Sequence, residues 1–105
     1  MALELISLRK AIESLDRSLQ ATEFSSDFSS FSPIVQETLH SGVIQSFEVA
    51  YEQAWKMMKR WIRANIEAEA ADGVSRRELY RLAAEQKLID DVDLWMTFHQ
   101  TRNMT

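Results

Sequence analysis

Apolar residues recur at intervals of three and four along most of the chain, which is the period of an amphipathic helix. In the first segment this stripe comprises Leu5, Leu8, Ile12, Leu15 and Leu19. It predicts a first helix over about residues 3–21. A longer stripe comprises Ile44, Phe47, Tyr51, Ala54, Met58 and Trp61, and the same spacing continues to the polar Asn65. It predicts a central helix over about residues 41–71, and a second apolar set beside it suggests that this helix is covered on more than one side.

Between these two helices the pattern changes to that of a loop and a short helix. Residues 21–32 contain five Ser and three Phe without a consistent period, so we expect a loop that is held to the helices by its aromatic side chains, Phe24, Phe28 and Phe31. Ser32 followed by Pro33 has the pattern of an N-cap and a first helical residue, which predicts a short helix over residues 33–40. Gly42 predicts a break or kink before the central helix.

Capping signals divide the last third of the chain. Gly73 is suited to the left-handed residue that ends a helix. Ser75 and Glu78 have the spacing of a capping box, which predicts a third helix over about residues 76–87. Asp90 is suited to begin a fourth helix, because a carboxylate there opposes the positive end of the helix dipole. The elements together predict an all-α protein, an antiparallel up-and-down bundle of four main helices plus a short helix.

The composition agrees with helices and limits the available chemistry. The 105 residues include two Gly, one Pro and no Cys, so hairpin turns are scarce and neither a disulfide nor a thiolate site is available. Because no apolar run reaches the roughly 18 to 20 residues of a membrane span, we expect a cytoplasmic protein with no membrane partner. The length of the chain predicts a single domain over residues 1–105. The net charge of −4 disfavours a protein that binds nucleic acid over its whole surface.

Few polar residues form a pattern that carries chemistry. Phosphate-binding loops, metal-binding His pairs and nucleophile elbows do not occur in the sequence, so no metal site is predicted. His40 and His99 are most simply interpreted as surface or half-buried residues. Glu48, Glu52 and Lys56 follow one another at intervals of four on the central helix and form a charged strip, for which a solvated face is the simplest interpretation.

Arg102 and Asn103 form the most specific polar pair. The planar guanidinium of Arg matches phosphate oxygens, and the amide of Asn can donate and accept hydrogen bonds beside it. The dipeptide alone carries no assignment. The three Trp residues are more often core residues than ligand platforms; they are Trp55, Trp61 and Trp95.

Taken together, the motifs resemble those of a known family. Residues 43–56, which read VIQSFEVAYEQAWK, resemble a segment of the small substrate-binding subunits that pair with minimal nucleotidyltransferases, in the HEPN superfamily. The motifs that follow come in the order that this family shows: the Ser75–Glu78 cap, the Leu88-Ile89-Asp90 turn, Trp95, and the Arg102-Asn103 pair. The resemblance covers about residues 3–105.

The resemblance implies a HEPN-like helical bundle that forms a homodimer and docks a separately encoded nucleotidyltransferase. No cofactor is expected in this subunit, because Mg and the nucleoside triphosphate belong to the partner, which in toxin–antitoxin versions adenylylates the helical subunit. Our leading hypothesis is therefore a non-catalytic subunit that binds a nucleotide or RNA. We expect Arg102 and Asn103 to face a cleft shared with the charged strip, Glu48, Glu52 and Lys56.

The resemblance also leaves other functions open. Arg102 and Asn103 match the beginning of a HEPN ribonuclease motif, in which an Arg and a later His handle an RNA phosphate. This sequence ends at Met104-Thr105, before that His and a Tyr would occur, so we expect no ribonuclease activity unless a C-terminal segment with the family's last helix is missing. The alternatives are a HEPN ribonuclease toxin neutralised by a nucleotidyltransferase antitoxin, with Arg102 catalytic, and a helical protein-interaction adaptor.

Overall fold

The structure is a computed structural model that describes residues 5–23 and 25–104. Over these residues it is all-α, with no strand. Its elements are α1 (Ile6–Ala21), a 3₁₀ turn (Phe28–Ser30), α2 (Pro33–Asn65), α3 (Ala68–Ala71), α4 (Arg76–Glu85) and α5 (Val92–Met104). The fold class and the combination of four main helices with a short one are those predicted, but the short helix lies elsewhere in the chain.

The residues form two compact units, which we call the N-terminal unit (residues 5–53) and the C-terminal unit (residues 54–104). Helix α2 contributes to both. The assignment of residues 1–105 to a single domain stays a prediction.

Helix α2 is uninterrupted where a break was predicted. It begins at Pro33, and the Ser32 hydroxyl caps it by accepting a hydrogen bond from the Val35 amide at 3.4 Å. The predicted break at Gly42 is wrong, and the predicted short helix over residues 33–40 is the first part of α2. A Gly inside a helix costs only about 1 kcal/mol relative to Ala, which by itself is too little to interrupt a long helix.

The C-terminal end of α2 also differs from the prediction of a helix reaching residue 71. Helix α2 stops at Asn65, and after Ile66 the backbone of Glu67 is extended, with φ −162° and ψ 154°. Helix α3 then resumes for one turn. Neither Gly nor Pro occurs between Asn65 and Gly73, so the sequence contained no signal for this interruption.

The N-terminal unit is held by small and polar residues where α1 meets α2. The Ser46 hydroxyl lies 3.5 Å from that of Ser14 and 3.2 Å from that of Ser18, and Ala11 is the buried residue of α1. The predicted helix is confirmed from Ile6 to Ala21. Leu5 precedes the helix, and the predicted residues 3–4 lie outside the described residues. Ile12, from the predicted apolar stripe, is 52% exposed, because the face that meets α2 is centred on the small residues beside that stripe.

The loop between α1 and α2 is attached partly as predicted. The Phe28 ring packs on the His40 ring with centroids 4.8 Å apart. The Gln36 side-chain amide donates hydrogen bonds to the backbone oxygens of Phe28 and Phe31, each at 3.1 Å. Phe31 itself is exposed, and Phe24 lies outside the described residues. Polar contacts from α2 therefore hold this loop as well as aromatic packing.

The core of the C-terminal unit lies where α2, α3 and α4 meet. Its buried centre is Ile62, Ala71 and Leu79, and the residues packed around this centre are Trp55, Trp61, Ala70, Val74 and Leu82. An ion pair between Arg63 and Asp72 joins the end of α2 to the turn after α3. In that turn Gly73 has φ 75°, which confirms the predicted left-handed glycine.

Side-chain caps begin α4 and α5. The Ser75 hydroxyl accepts a hydrogen bond from the Glu78 amide at 3.1 Å, so the predicted N-cap is confirmed. Helix α5 is capped by Asp91, which accepts from the Leu94 amide at 3.0 Å. Asp91 therefore takes the place that the sequence assigned to Asp90, because Asp91 stands directly before the first helical residue.

Helix α4 ends at Glu85, two residues before the predicted end. The Leu88 amide donates to the Ala83 oxygen at 2.9 Å, and the Lys87 amide donates to the Ala84 oxygen at 3.0 Å. This pair of bonds is the Schellman arrangement, which needs a left-handed residue after the helix. Lys87 supplies it with φ 62°.

Candidate ligand-binding site

The predicted pair Arg102 and Asn103 lies in the last turn of α5 beside His99. The Asn103 side-chain nitrogen is 3.4 Å from Nε2 of His99, and Arg102 follows His99 by three residues, so all three share one region of the helix surface. Arg102 is half-buried, with its Nε atom buried, whereas Asn103 is exposed. A cation in this turn is also favoured by the negative end of the helix dipole.

Helix α4 brings a second guanidinium to the C-terminal unit. The cap at Ser75 makes Arg76 the first residue of α4, and the Arg76 guanidinium carbon lies 3.7 Å from the centroid of the Trp55 ring. This is a cation–π contact. Trp55 packs against the core, and its buried Nε1 has no hydrogen-bond partner among the residues that the structure describes. The platform under Arg76 is therefore fixed by packing.

Arg76 and burial together lower the pKa of His99. Burial is the larger cause, because desolvation disfavours the charged imidazolium, and the positive charge of Arg76 adds to it. The ordinary value of 6.5 is thus reduced, and the imidazole is neutral near pH 7. A neutral imidazole can donate a hydrogen bond through one ring nitrogen and accept through the other.

An aromatic cluster sets the spacing between α4 and α5. Tyr80, which is fully buried, lies 5.7 Å from Trp95 between ring centroids, and Trp95 lies 5.2 Å from Phe98 in an edge-to-face contact. On the outside, Arg77 and Asp93 form an ion pair at 3.6 Å. These contacts hold the beginning of α4 beside α5, which is why Arg76 acts on the pKa of His99.

We call Trp55, Arg76, His99, Arg102 and Asn103 the basic cluster. It combines two guanidinium groups, a neutral imidazole and an amide, a set of groups that suits an anion with several oxygens. Within residues 5–23 and 25–104, no group of three or more His, Asp or Glu side chains is arranged to hold a metal ion.

The predicted charged strip is divided between the two units. Lys56 is exposed, and its Nζ atom lies 5.9 Å from the centroid of the Trp55 ring. Glu48 and Glu52 are half-buried residues of α2 that belong to the N-terminal unit. The cleft that these carboxylates were expected to share with Arg102 stays a prediction.

Three members of the basic cluster were not predicted as site residues. Trp55 was interpreted as a core residue, which it also is, and His99 as a half-buried residue without a role. Arg76 could have been singled out from the sequence, because the capping box places it at the first position of α4. A cation at that position is disfavoured by the helix dipole. Such a position calls for a compensating contact.

A shallow groove in the N-terminal unit contains none of the predicted site residues. It encloses about 320 Å³. Its lining consists of Ala11, Ser14, Ser18, Gly42, Gln45, Ser46 and Val49.

Comparison with known proteins identifies the family. Residues 3–105 match the family model described as "Nucleotidyltransferase substrate binding protein like". The chain belongs to this family. The resemblance stated from the sequence motifs is thereby confirmed.

Two relatives from Haemophilus influenzae support membership of the nucleotidyltransferase substrate binding protein like family. One is named "Probable ribonuclease HepT" and is 37% identical over 73 residues, which is 69% of this chain. The chain spans about half (50%) of the length of this curated relative. The other is the solved structure of HI0074, described as revealing "the fold of a substrate binding domain of a nucleotidyltransferase".

The HI0074 structure is 31% identical in sequence and superposes with a TM-score of 0.90 over 96% of this chain and 76% of its own. The predicted all-α helical-bundle class is confirmed by this match. Within the described residues, no helix is long and apolar enough to cross a membrane.

Proposed function

We propose that this protein is the substrate-binding subunit of a two-component nucleotidyltransferase. The family description supports a nucleotidyltransferase partner, and the observation that carries the binding role is the basic cluster. Its guanidinium, imidazole and amide groups lie together in one unit and suit a phosphate-bearing ligand. Metal and nucleoside triphosphate chemistry belong to the partner in this proposal, and the setting is a cytoplasmic toxin–antitoxin-like pair.

Co-purification with the nucleotidyltransferase tests the partner. The full chain is expressed with the product of a neighbouring nucleotidyltransferase reading frame, and we expect a complex that survives gel filtration at micromolar concentration. Absence of any complex would remove the two-component assignment. Substrate binding is tested separately by calorimetric titration of nucleotides into wild type and Arg102→Ala, and we expect the variant to bind about 10- to 100-fold more weakly.

The proposal includes a homodimer formed through the N-terminal unit. More large apolar side chains are exposed in that unit than in the C-terminal unit, and a dimer through the N-terminal unit would cover part of them. In the N-terminal unit they are Leu5, Ile6, Ile12, Phe31, Ile34, Val35, Ile44 and Val49. We expect sedimentation equilibrium to give a dimer for wild type, a monomer for Ile12→Glu, and a dimer for the control Leu94→Glu, which alters an exposed residue of the C-terminal unit.

A ribonuclease is the second candidate, and it is favoured by the name of the Haemophilus influenzae relative together with the neutral imidazole beside Arg102. Metal-independent RNA cleavage needs a group that moves protons and a cation that stabilises the phosphate. His99 and Arg102 offer these two properties. An RNA cleavage assay on wild type, His99→Gln and Arg102→Ala distinguishes the candidates, since cleavage by wild type and its loss in both variants would favour the ribonuclease.

A further inference from the structure

We propose that the last turns of α2 are the docking surface for the nucleotidyltransferase, and that the segment of the partner that docks there is acidic. We call this surface the basic face of α2; it consists of Lys56, Lys59, Arg60 and Arg63. The inference rests on the proposed two-component function and locates the contact with the partner. It is carried by four cations at helical spacing, with no carboxylate between them, in a chain whose net charge is −4.

The four cations lie on one side of α2. Their intervals of three, one and three residues place them within an arc of about 100° around the helix axis. Three of them are exposed, and Lys59 is half-buried. Met58, on the opposite side of the helix, is buried. The basic face is therefore accessible to a partner on the C-terminal unit, to which all four residues belong.

The cations of the basic face repel one another. They make four pairs at intervals of three or four residues, and like charges at these intervals destabilise a helix. Glu52 lies four residues before Lys56, so it can offset the charge only at the beginning of the face. The central residues, Lys59 and Arg60, have no Asp or Glu three or four residues away on either side. Neither of these two forms an ion pair within the part of the chain that the structure describes.

The break after α2 removes a carboxylate from the end of the basic face. Glu67 would lie four residues after Arg63 in a continuous helix, but its backbone is extended, with φ −162° and ψ 154°. The Arg63 guanidinium pairs instead with Asp72, from the turn after α3. The positive charge at the centre of the face is therefore available to an acidic partner.

The helix dipole does not account for the central cations. A cation is favoured by the negative end of the dipole mainly within the last turn of a helix. Helix α2 ends at Asn65, and Arg63 is the basic residue of its last turn. Lys59 and Arg60 precede that turn, so the repulsion that they add is not offset by the end of their own helix.

The surroundings of the basic face favour a protein partner over RNA. Ile66, three residues after Arg63, is 43% exposed, and its amide donates to the Ile62 oxygen at 2.9 Å, which continues the helical turn. Proteins that bind single-stranded RNA stack its bases on aromatic rings, whereas Trp55 and Trp61 pack against the core. An aliphatic side chain beside exposed arginines fits a protein interface, in which an apolar anchor is bordered by charged residues.

The test measures the complex between the full chain and the product of the neighbouring nucleotidyltransferase reading frame by isothermal titration calorimetry. We expect the double variant Lys59→Glu/Arg60→Glu to bind about 10- to 100-fold more weakly than wild type, because like charges would then face each other. The matched control is Arg81→Glu/Lys87→Glu, which makes the same change in net charge at exposed residues of the same unit. It should stay within about threefold of wild type.

Two further measurements examine the chemistry of the contact. We expect the wild-type affinity to fall between about 50 and 500 mM NaCl, since salt screens exposed charges, and an affinity independent of salt would refute an acidic partner. Ile66→Ser should weaken the complex about three- to tenfold by removing apolar contact area. An unchanged affinity in that variant would refute the apolar anchor.

A stability measurement separates docking from folding. The carboxylates introduced by Lys59→Glu/Arg60→Glu lie at helical spacing from Lys56 and Arg63, so opposite-charge pairs replace like-charge pairs. We expect thermal unfolding followed by circular dichroism to give a Tm equal to or above that of wild type, and a lower Tm would contradict the repulsion. Lys59→Gln/Arg60→Gln, which only removes the charges, is the second variant and should bind with intermediate affinity.

The outcomes distinguish this inference from the function on which it rests. If wild type forms the complex and Lys59→Glu/Arg60→Glu binds equally tightly, the docking surface is refuted and the two-component function stands. If wild type forms no complex, both are refuted. Fluorescence anisotropy with a labelled single-stranded RNA supplies the remaining comparison. RNA binding that is lost in the double variant while its nucleotidyltransferase complex is unchanged would refute the protein partner and assign the basic face to RNA.

Discussion

Lys87 and Gly73 occupy the same left-handed region of backbone conformation, with φ 62° and 75°, yet one carries a side chain and the other does not. For an L-residue this region costs roughly 1–2 kcal/mol. Part of that would be offset in Lys87→Gly, because glycine gains roughly 0.4–1 kcal/mol of unfolded-state entropy. We therefore expect Lys87→Gly to raise the free energy of unfolding by about 0.5–1 kcal/mol.

The reverse change at Gly73 should have the opposite sign. A Cβ atom built on Gly73 meets no atom within 4 Å, so Gly73→Ala tests the backbone cost without a steric clash. We expect it to lower the free energy of unfolding by about 1 kcal/mol. Urea unfolding followed by far-UV circular dichroism measures both variants, and for a domain of this size about 1 kcal/mol corresponds to about 4–8 °C in Tm.

The control for side-chain effects is Lys87→Ala. It removes the lysine charge but keeps a Cβ atom in the left-handed conformation, so we expect it to stay within about 0.5 kcal/mol of wild type. The reasoning would be refuted if Lys87→Gly and Lys87→Ala had the same stability, because the strain assigned to Lys87 would then be absent.

Three further predictions concern the C-terminal unit. Ile62 is fully buried, so changing it to Ala should lower the free energy of unfolding by about 2–5 kcal/mol, and changing it to Val should lower it by about 0.5–1.5 kcal/mol. Equal losses for the two variants in urea titrations would argue against tight packing around Ile62. Ser75→Ala should cost about 1 kcal/mol by removing the cap on the Glu78 amide, and an unchanged Tm would contradict that role. The pKa of His99 is lowered in the folded protein, so the unfolded state binds more protons below the ordinary value of 6.5 and stability should fall as the pH drops below it. His99→Gln should reduce that slope in urea unfolding across this pH range; an identical slope would count against the lowered pKa.

Local signals explain which parts of the fold were predictable. The caps at Ser32 and Ser75 and the turn at Gly73 depend on residues within a few positions of one another, and the structure contains all three. The prediction of a break at Gly42 was wrong, because the helix on both sides outweighs the small free-energy cost of a helical glycine. The left-handed conformation of Lys87 could not be predicted, because lysine is not a residue that usually ends a helix in this conformation.

Only the part of the candidate site that consists of residues adjacent in sequence could be predicted. Arg102 and Asn103 stood out as a polar pair in sequence. The place of Arg76 in the site, however, depends on its contact with Trp55. The end of α2, helix α3 and the turn after it separate these two residues along the chain. The lowered pKa of His99 likewise comes from burial and from a charge on another helix. Properties of this kind arise from tertiary packing, so no spacing rule along the chain encodes them.

The seam of hydroxyl groups between α1 and α2 has a consequence for local opening. Contacts between Ser14 or Ser18 and Ser46 remove little apolar surface from water, so this part of the contact between α1 and α2 adds little hydrophobic free energy against local opening. Amide protons of α1 should therefore exchange with solvent through small fluctuations, ahead of those around Ile62. A molecule that docks on this seam would slow that exchange in proportion to its affinity, because binding to the closed form adds directly to the free energy of opening.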